Sequence, residues 1–157
     1  MRLEIRLATA RDLGAIQNLN RELCKTEHKK FDSSIDPDWS LTREGKEHFR
    51  KRIAQKDGCV LVAVAENKIV GYLAGCRTEA ERYRDIKKIT ELENMFVAER
   101  YRSHGIGTKL YRAFLGWCKR KGIKRIRAVV SAKNIKAINF YKRNKFVSYT
   151  VTLEKEV

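Results

Sequence analysis

Apolar and polar residues alternate at the start of the chain. Leu3, Ile5 and Leu7 share one face, which predicts a strand over residues 2–7. The period then lengthens. Leu13, Ile16, Leu19 and Leu23 recur at helical spacing behind Thr9 and Asp12, a capping-box pair, and the first helix is expected to end near Lys29 or Lys30. Residues 31–39, FDSSIDPDW, hold the only proline and read as turns. Phe49 and Ile53 mark the inward face of a second helix over 43–56. From Gly58 the texture changes to strand. Residues 60–64 and 69–76, joined at Glu66-Asn67-Lys68, predict a hairpin. Polar residues 77–85 are expected to loop out before a strand over 89–97. Ile106, Leu110, Phe114 and Trp117 then form the apolar stripe of a third helix over 106–121, which Gly122 stops from the C′ position. A strand over 126–130, a short helix over 136–144 and a last strand over 146–153 complete the order βααβββαβαβ.

That order predicts one α/β domain over residues 1–157, or α+β in some schemes, with helices packed on a sheet. The chain is 43% hydrophobic and 34% charged, as a globular protein should be. No run approaches the about 18 apolar residues of a membrane span, and MRLEIRLATARD lacks the apolar region of a secretory signal. A cytoplasmic protein with no membrane partner is expected. Cys24, Cys59, Cys76 and Cys118 form no C-x-x-C pair or zinc-like cluster, so no metal is expected and they read as small core residues.

Charge sharpens the picture. The net charge is +16, yet residues 1–99 hold 19 basic and 17 acidic side chains, against 16 basic and 2 acidic in residues 100–157. A field of one sign attracts phosphorylated cofactors, nucleic acid or another acidic partner. No helix-turn-helix, zinc motif or RNA-binding aromatic strand pattern supports the nucleic-acid reading, which stays as the weaker alternative.

The asymmetry begins at 97-VAERYRSHGIGTKLYRAF-114. There a strand end meets a helix start through Arg102, Ser103, His104, Gly105, Ile106 and Gly107. The first amides of a helix lack partners, and phosphate oxygens satisfy them with help from the helix dipole. Gly105 and Gly107 let a pyrophosphate approach the backbone, Arg102 adds charge, and Thr108 offers a hydroxyl. Equally, the glycines could serve only a left-handed turn. The segment is no Walker A, because no G-K-[ST] follows, and no dinucleotide fingerprint, because position 110 is Leu.

The stretch 95-MFVAERYRSHGIG-107 resembles the R/Q-x-x-G-x-G/A signature of the GNAT superfamily of acyl-coenzyme A N-acyltransferases. A second stretch, 134-NIKAINFYKRNKF-146, is similar to that family's N-x-x-A-x-x-F-Y-x-x-x-G-F, with Lys145 where the family usually has Gly. Asn144 is expected to take over the left-handed cap. The resemblance runs from Arg2 to Leu153. It implies a central, mixed, mostly antiparallel sheet flanked by helices, with splayed strands forming an acetyl-coenzyme A cleft. It implies acetyl-coenzyme A as acyl donor, a primary amine (a protein N-terminus, a lysine or a small amine) as acceptor, and a possible homodimer. A coenzyme A-sensing domain without catalysis is the other reading of the same fold.

The resemblance also implies roles. Met95, Phe96 and Val97 would pair with the pantetheine arm, and the turn from Arg102 to Thr108 would hold the diphosphate. Asn134, Ala137, Phe140 and Arg143 would contact the cofactor. Tyr141 matches the tyrosine that protonates the departing thiolate, and a phenol is protonated at neutral pH. For the base, the residues themselves offer Glu93, with Glu91 in reserve, because 89-ITELENMFV-97 is acidic for a central strand. Glu91, Glu93, Met95 and Val97 would share a face unless a bulge near Asn94 re-aims them; a salt bridge to the basic second half is the competing role. Candidate acceptor contacts are Phe31, Asp32, Asp36, Asp38, Trp39 and Tyr83. His28, His48 and His104 show no triad spacing with a serine or cysteine.

Overall fold

The computed structural model describes residues 1–157. Five strands lie in one sheet in chain order: β1 (Leu3–Leu7), β2 (Gly58–Ala65), β3 (Lys68–Glu79), β4 (Lys88–Val97) and β5 (Ile126–Ala128). Neighbours are antiparallel except β4 and β5, which are parallel and joined by a helix, as a parallel crossover requires. α1 (Leu13–Lys30) and α2 (Arg43–Ala54) cover one face; α3 (Ile106–Arg120) covers the other, and α4 (Ile135–Arg143) follows β5.

β2 shows why the sequence reads GCVLVAVA without polar alternation. Cys59, Leu61, Ala63 and Ala65 pack toward α3, while Val60 and Val62 pack toward Ile16, Leu19 and Phe49 of α1 and α2. Both faces are covered, so both must be apolar. The hairpin to β3 turns on Glu66 (φ 52°) and Asn67 (φ 60°), the paired left-handed conformation of a type I′ turn. The predicted stripe of α3 is buried at Ile106, Leu110, Phe114 and Trp117, joined by Tyr111 and Cys118. Gly122, at φ 67°, closes the helix: its amide donates to the Lys119 carbonyl and that of Ile123 to the Cys118 carbonyl. No helix is long and apolar enough to cross a membrane.

Four expectations need correction. β3 continues to Glu79, so the polar connection spans 80–87 rather than 77–85. β5 stops at Ala128 because it pairs only with Thr90, Glu91 and Leu92 of β4. The last strand over 146–153 is absent: the residues belong to no ladder. Finally, Lys145 itself takes the left-handed conformation (φ 69°), while Asn144 stays at φ −92° and donates from Nδ2 to the Phe140 carbonyl at 2.9 Å. Such a backbone costs a non-glycine residue about 1 kcal/mol.

The Thr9–Asp12 pair caps a single 3-10 turn (Ala10–Asp12) that leads into α1, rather than α1 itself. The Asp12 carboxylate accepts from the Thr9 amide at 2.7 Å and from Arg6 of β1 at 2.8 and 3.0 Å, tying the first strand to the first helix. The hydrogen bonds from Arg6, outweighing the opposing effect of burial, pull the Asp12 carboxyl down to about 2. Because the folded value is depressed, this contribution to stability is complete above about pH 4 and fades as pH falls toward 2. In urea titrations, wild type should therefore exceed Asp12→Asn in midpoint at pH 7, with the gap shrinking below about pH 4 and nearly gone only at about pH 2. A gap independent of pH would contradict the assignment.

Candidate active site

β4 is paired to β3 along its length, but β5 leaves it after Leu92. From Glu93 to Val97 one edge of β4 is therefore open. At the same place the register with β3 slips: Asn94 lies opposite Ala74 and Leu92 opposite Gly75, so Glu93 is the inserted residue of a bulge. The bulge re-aims the strand. Leu92, Met95 and Val97 pack toward α3, whereas Asn94 and Phe96 face α1 and α2, and Glu93 turns to side chains of α2. The single face that Glu91, Glu93, Met95 and Val97 would share without a bulge is thus broken, as the sequence allowed.

The open edge leads directly to the glycine turn. Ser103 (φ 64°) and Gly105 (φ 72°) are both left-handed, and α3 begins at Ile106. The amides of Ser103, His104 and Gly105 have no acceptor in the protein, and those of Ile106, Gly107 and Thr108 precede the first helical bond, from Lys109 to the Gly105 carbonyl. A Cβ built on Gly107 would meet nothing within 4 Å, so the backbone is open to a close approach. Donors, dipole and access converge as an anionic group requires. Arg102 does not point into this turn: its Nε donates to the Val97 carbonyl at 2.8 Å and its guanidinium lies 5.1 Å over the Phe96 ring. It fastens the end of β4 to the turn. His104 Nδ1 sits 2.7 Å from the Arg102 carbonyl.

Glu93 is gripped from α2. Arg52 donates from Nε and Nη2 to its carboxylate, the shortest contact being 2.7 Å, and His48 Nε2 lies 3.2 Å from Oε2. Burial pushes the Glu93 carboxyl up, but His48 and Arg52 outweigh it and hold the group below the usual carboxylate range. Glu93 is an anion, at the mouth of the parted strands. Glu91 instead pairs with Arg127 at 3.0 Å, within an Arg127–Glu81 bridge, which is the structural role weighed for these acids.

Tyr141 lies on the other side of β4. It packs with Met95, Val97, Phe140 and Phe146 against the α3 core, its ring 5.1 Å from that of Phe146. Burial, with a smaller effect of Tyr111, pushes its phenol up to about 12, and the hydroxyl has no protein partner. Asn134 caps α4, its Oδ1 accepting from the Ala137 amide at 3.1 Å. Arg143, at the other end of α4, is exposed.

Other expectations separate from this centre. Asp38 pairs with Arg21, Asp32 accepts from Ser34, and Asp36 accepts from the Asp38 amide, so these carboxylates hold turns. Trp39 packs against His48 and Phe49; Phe31 lies at the end of α1; Tyr83 is exposed in the 80–87 connection. Three contributors escaped the sequence reading. His48 and Arg52 sit four apart on α2, a spacing that puts both on the side next to inward-facing Phe49 and could have flagged them. Tyr72, fully buried, accepts from Asn20 at 2.8 Å and reaches Asn94 at 3.4 Å, a pairing no local pattern reveals. No group of His, Cys, Asp and Glu side chains converges to hold a metal ion.

A mixed sheet whose strands part above an amide-lined helix start defines an α/β fold with a cleft between β4 and β5. The family model described as "Acetyltransferase (GNAT) family" matches residues 21–146, and the chain belongs to that family. An uncharacterized N-acetyltransferase of Archaeoglobus fulgidus is 28% identical over 103 residues, 66% of this chain and 69% of that protein. A Bacillus halodurans protein shares the fold with a TM-score of 0.83 at 22% identity, covering 98% of this chain and 99% of its own. So does a Clostridium acetobutylicum predicted acetyltransferase solved with acetyl-CoA, at a TM-score of 0.78 and 18% identity, covering 99% and 96%.

The Arg52–Glu93 pair can be tested by itself. Arg52→Met leaves a half-buried carboxylate short of its main partner and should cost about 2 kcal/mol in chemical denaturation. The Arg52→Met/Glu93→Gln double variant should recover more than half of that. No recovery would show that Arg52 acts by packing alone.

Proposed function

We propose that the chain is an acetyl-coenzyme A-dependent N-acetyltransferase in which a primary amine attacks the acyl donor directly. The observation that carries this reading is the run of unpartnered amides from Ser103 to Thr108, placed where the open edge of β4 ends. The residues fit the ligand: the amides for its diphosphate, the bare backbone at Gly107 for close approach, and the edge of Met95, Phe96 and Val97 for an extended amide-bearing arm. Acetyl-coenzyme A, when bound, supplies a thioester whose carbonyl carbon accepts the amine.

The remaining work falls to side chains. Asn134 keeps its Nδ2 for the arm, since Oδ1 is spent on the cap. Ala137 and Phe140 pack beside it, and Arg143 adds charge toward the phosphates. Tyr141 keeps its proton throughout the neutral range and holds a free hydroxyl, which suits it to protonate the thiolate. Glu93 approaches from the opposite face. Held ionised, it is a weak proton acceptor but a strong attractor for a cationic amine. The amine's proton leaves by way of His48, whose Nε2 lies 3.2 Å from the Glu93 carboxylate. The acceptor class is a protein N-terminus, a lysine or a small amine. All four cysteines are free thiols, which suits a reducing compartment such as the cytoplasm.

Titration calorimetry with acetyl-coenzyme A and thiol release across a panel of amines and peptides test this reading. Tyr141→Phe should lower kcat about 100-fold while leaving the Kd for the donor within about twofold. Unchanged turnover would remove Tyr141 as the acid; absence of turnover in wild type with every amine, alongside tight donor binding, would favour a sensing domain. Gly107→Ala should keep or raise the melting temperature, alanine being the better helix former by up to about 1 kcal/mol, yet weaken donor binding at least about tenfold. Unaltered binding would rule out close approach at Gly107.

A further inference from the structure

A run of hydrogen bonds enters the polar side of the cleft from α1. The Cys24 thiol donates to Asn20 Oδ1 at 3.4 Å, Asn20 Nδ2 donates to the Tyr72 hydroxyl at 2.8 Å, and the Tyr72 hydroxyl donates to Asn94 Oδ1 at 3.4 Å. Tyr72 is 0% and Asn20 2% exposed, so neither can turn to water instead. Burial also pushes the Tyr72 phenol well above its ordinary range and keeps its proton in place. A phenol has one hydrogen. Because Asn20 already donates to the Tyr72 oxygen, that hydrogen goes to Asn94 and turns the Asn94 amide oxygen inward. Asn94 Nδ2 then faces away from the run. It has no partner in the protein, and the only buried side-chain nitrogen and oxygen atoms without one are Arg77 Nε, Thr90 Oγ1 and Arg127 Nε, so Asn94 Nδ2 is open to solvent. The neighbouring residue, Glu93, stands on the same side of the cleft as an anion. An oriented donor and a fixed negative charge are thus consecutive in the chain at the mouth of the parted strands.

We propose that Asn94, oriented by Tyr72 and Asn20, determines acceptor specificity by donating to a carbonyl oxygen on the carbon next to the amine-bearing one. The inference rests on Glu93 being the amine site of the proposed function, and it narrows the acceptor to an α-amino amide, the group at the start of a peptide. The ammonium needs the carboxylate and the adjacent carbonyl needs the donor, and such an acceptor offers both. A lysine side chain or a polyamine presents methylenes there instead. It would strip water from Asn94 Nδ2 and return no hydrogen bond, a loss that sites of this kind convert into discrimination. A free amino acid fails for a different reason. Its carboxylate would lie near Glu93, and the adjacent cations, Arg52 and His48, are already engaged by Glu93. Asn94 touches the substrate; Tyr72 and Asn20 act through it as positioning residues.

The probes are alaninamide and sec-isoamylamine, which has the same shape with methyl groups in place of the carbonyl oxygen and the amide nitrogen. Their ratio is read in two ways on the full chain: in kcat/KM by thiol release from acetyl-coenzyme A, and in Kd by calorimetry without turnover. Intrinsic differences between the two amines cancel when the ratio is compared between variants. Asn94→Asp still accepts from Tyr72 but puts an oxygen where Nδ2 was, and should lower the preference for alaninamide at least about tenfold. Tyr72→Phe frees the Asn94 amide to turn and should lower the preference about threefold, through KM more than kcat, whereas a merely structural loss would weaken both amines alike. An Asn94→Asp ratio equal to that of wild type would overturn the proposal, as would a wild type that prefers alanine to alaninamide or binds neither probe. Turnover absent with the Kd ratio intact would count against the acetyltransferase reading alone.

Discussion

The structure turns on a strand that is fully paired on one edge and half paired on the other. β4 needs β3 for its whole length, yet gives up β5 after Leu92. Backbone groups on the open half must be met by water or by something that enters. The bulge at Glu93 arises at the same point and has a second effect. It puts Glu93 and Asn94 on the side of α1 and α2 while returning Met95 and Val97 to α3. A single inserted residue therefore divides the cleft into a polar side and an apolar side. The glycine turn comes ten residues or so later only because β4 delivers the chain there, with Arg102 anchored on the Val97 carbonyl.

Placing polar groups beside a core costs free energy unless each is partnered. The polar side of the cleft meets that condition from α1 and α2. Asn20 serves Tyr72, and Arg52 with His48 serves Glu93. This is why α2 is so basic in sequence yet still packs: Phe49 faces the sheet while Arg52 reaches round its edge. The apolar side needs no such support, and Tyr141 there keeps a proton by burial among aromatic rings. Two titratable groups are thus driven apart by their surroundings, one toward its anion and one toward its neutral form.

Most of this was legible where the determinant is local. The stripe Ile106–Leu110–Phe114–Trp117 specifies α3, Gly122 its end, and Glu66-Asn67 the hairpin turn. The unbroken apolar run of β2 reports burial on both faces. Legibility failed where the determinant is a partner far along the chain. Nothing near Glu93 in sequence says that Arg52 and His48 will meet it, and the alternation of residues 146–153 predicts a strand although no sheet edge takes it up. Lys145 shows the intermediate case: the need for a left-handed residue was readable, but which residue bears it depends on Asn144 using its side chain on the Phe140 carbonyl.

The skewed charge follows from the same division of labour. The first half of the chain neutralises itself internally, through Arg6–Asp12, Arg21–Asp38 and Arg52–Glu93. The second half lacks acids to do so, and only Arg127 is matched, by Glu81 and Glu91 from the first half. Its remaining cations repel one another, which lowers stability unless something anionic is near. A phosphorylated ligand at the start of α3 would relieve the charges around Arg102, but it lies at the other end of α3 from Lys119, Arg120 and Lys121 and cannot neutralise Lys124 and Arg125. That second group draws on negative charge from outside its own half: Asp85 of the 80–87 connection lines the same groove as Arg125.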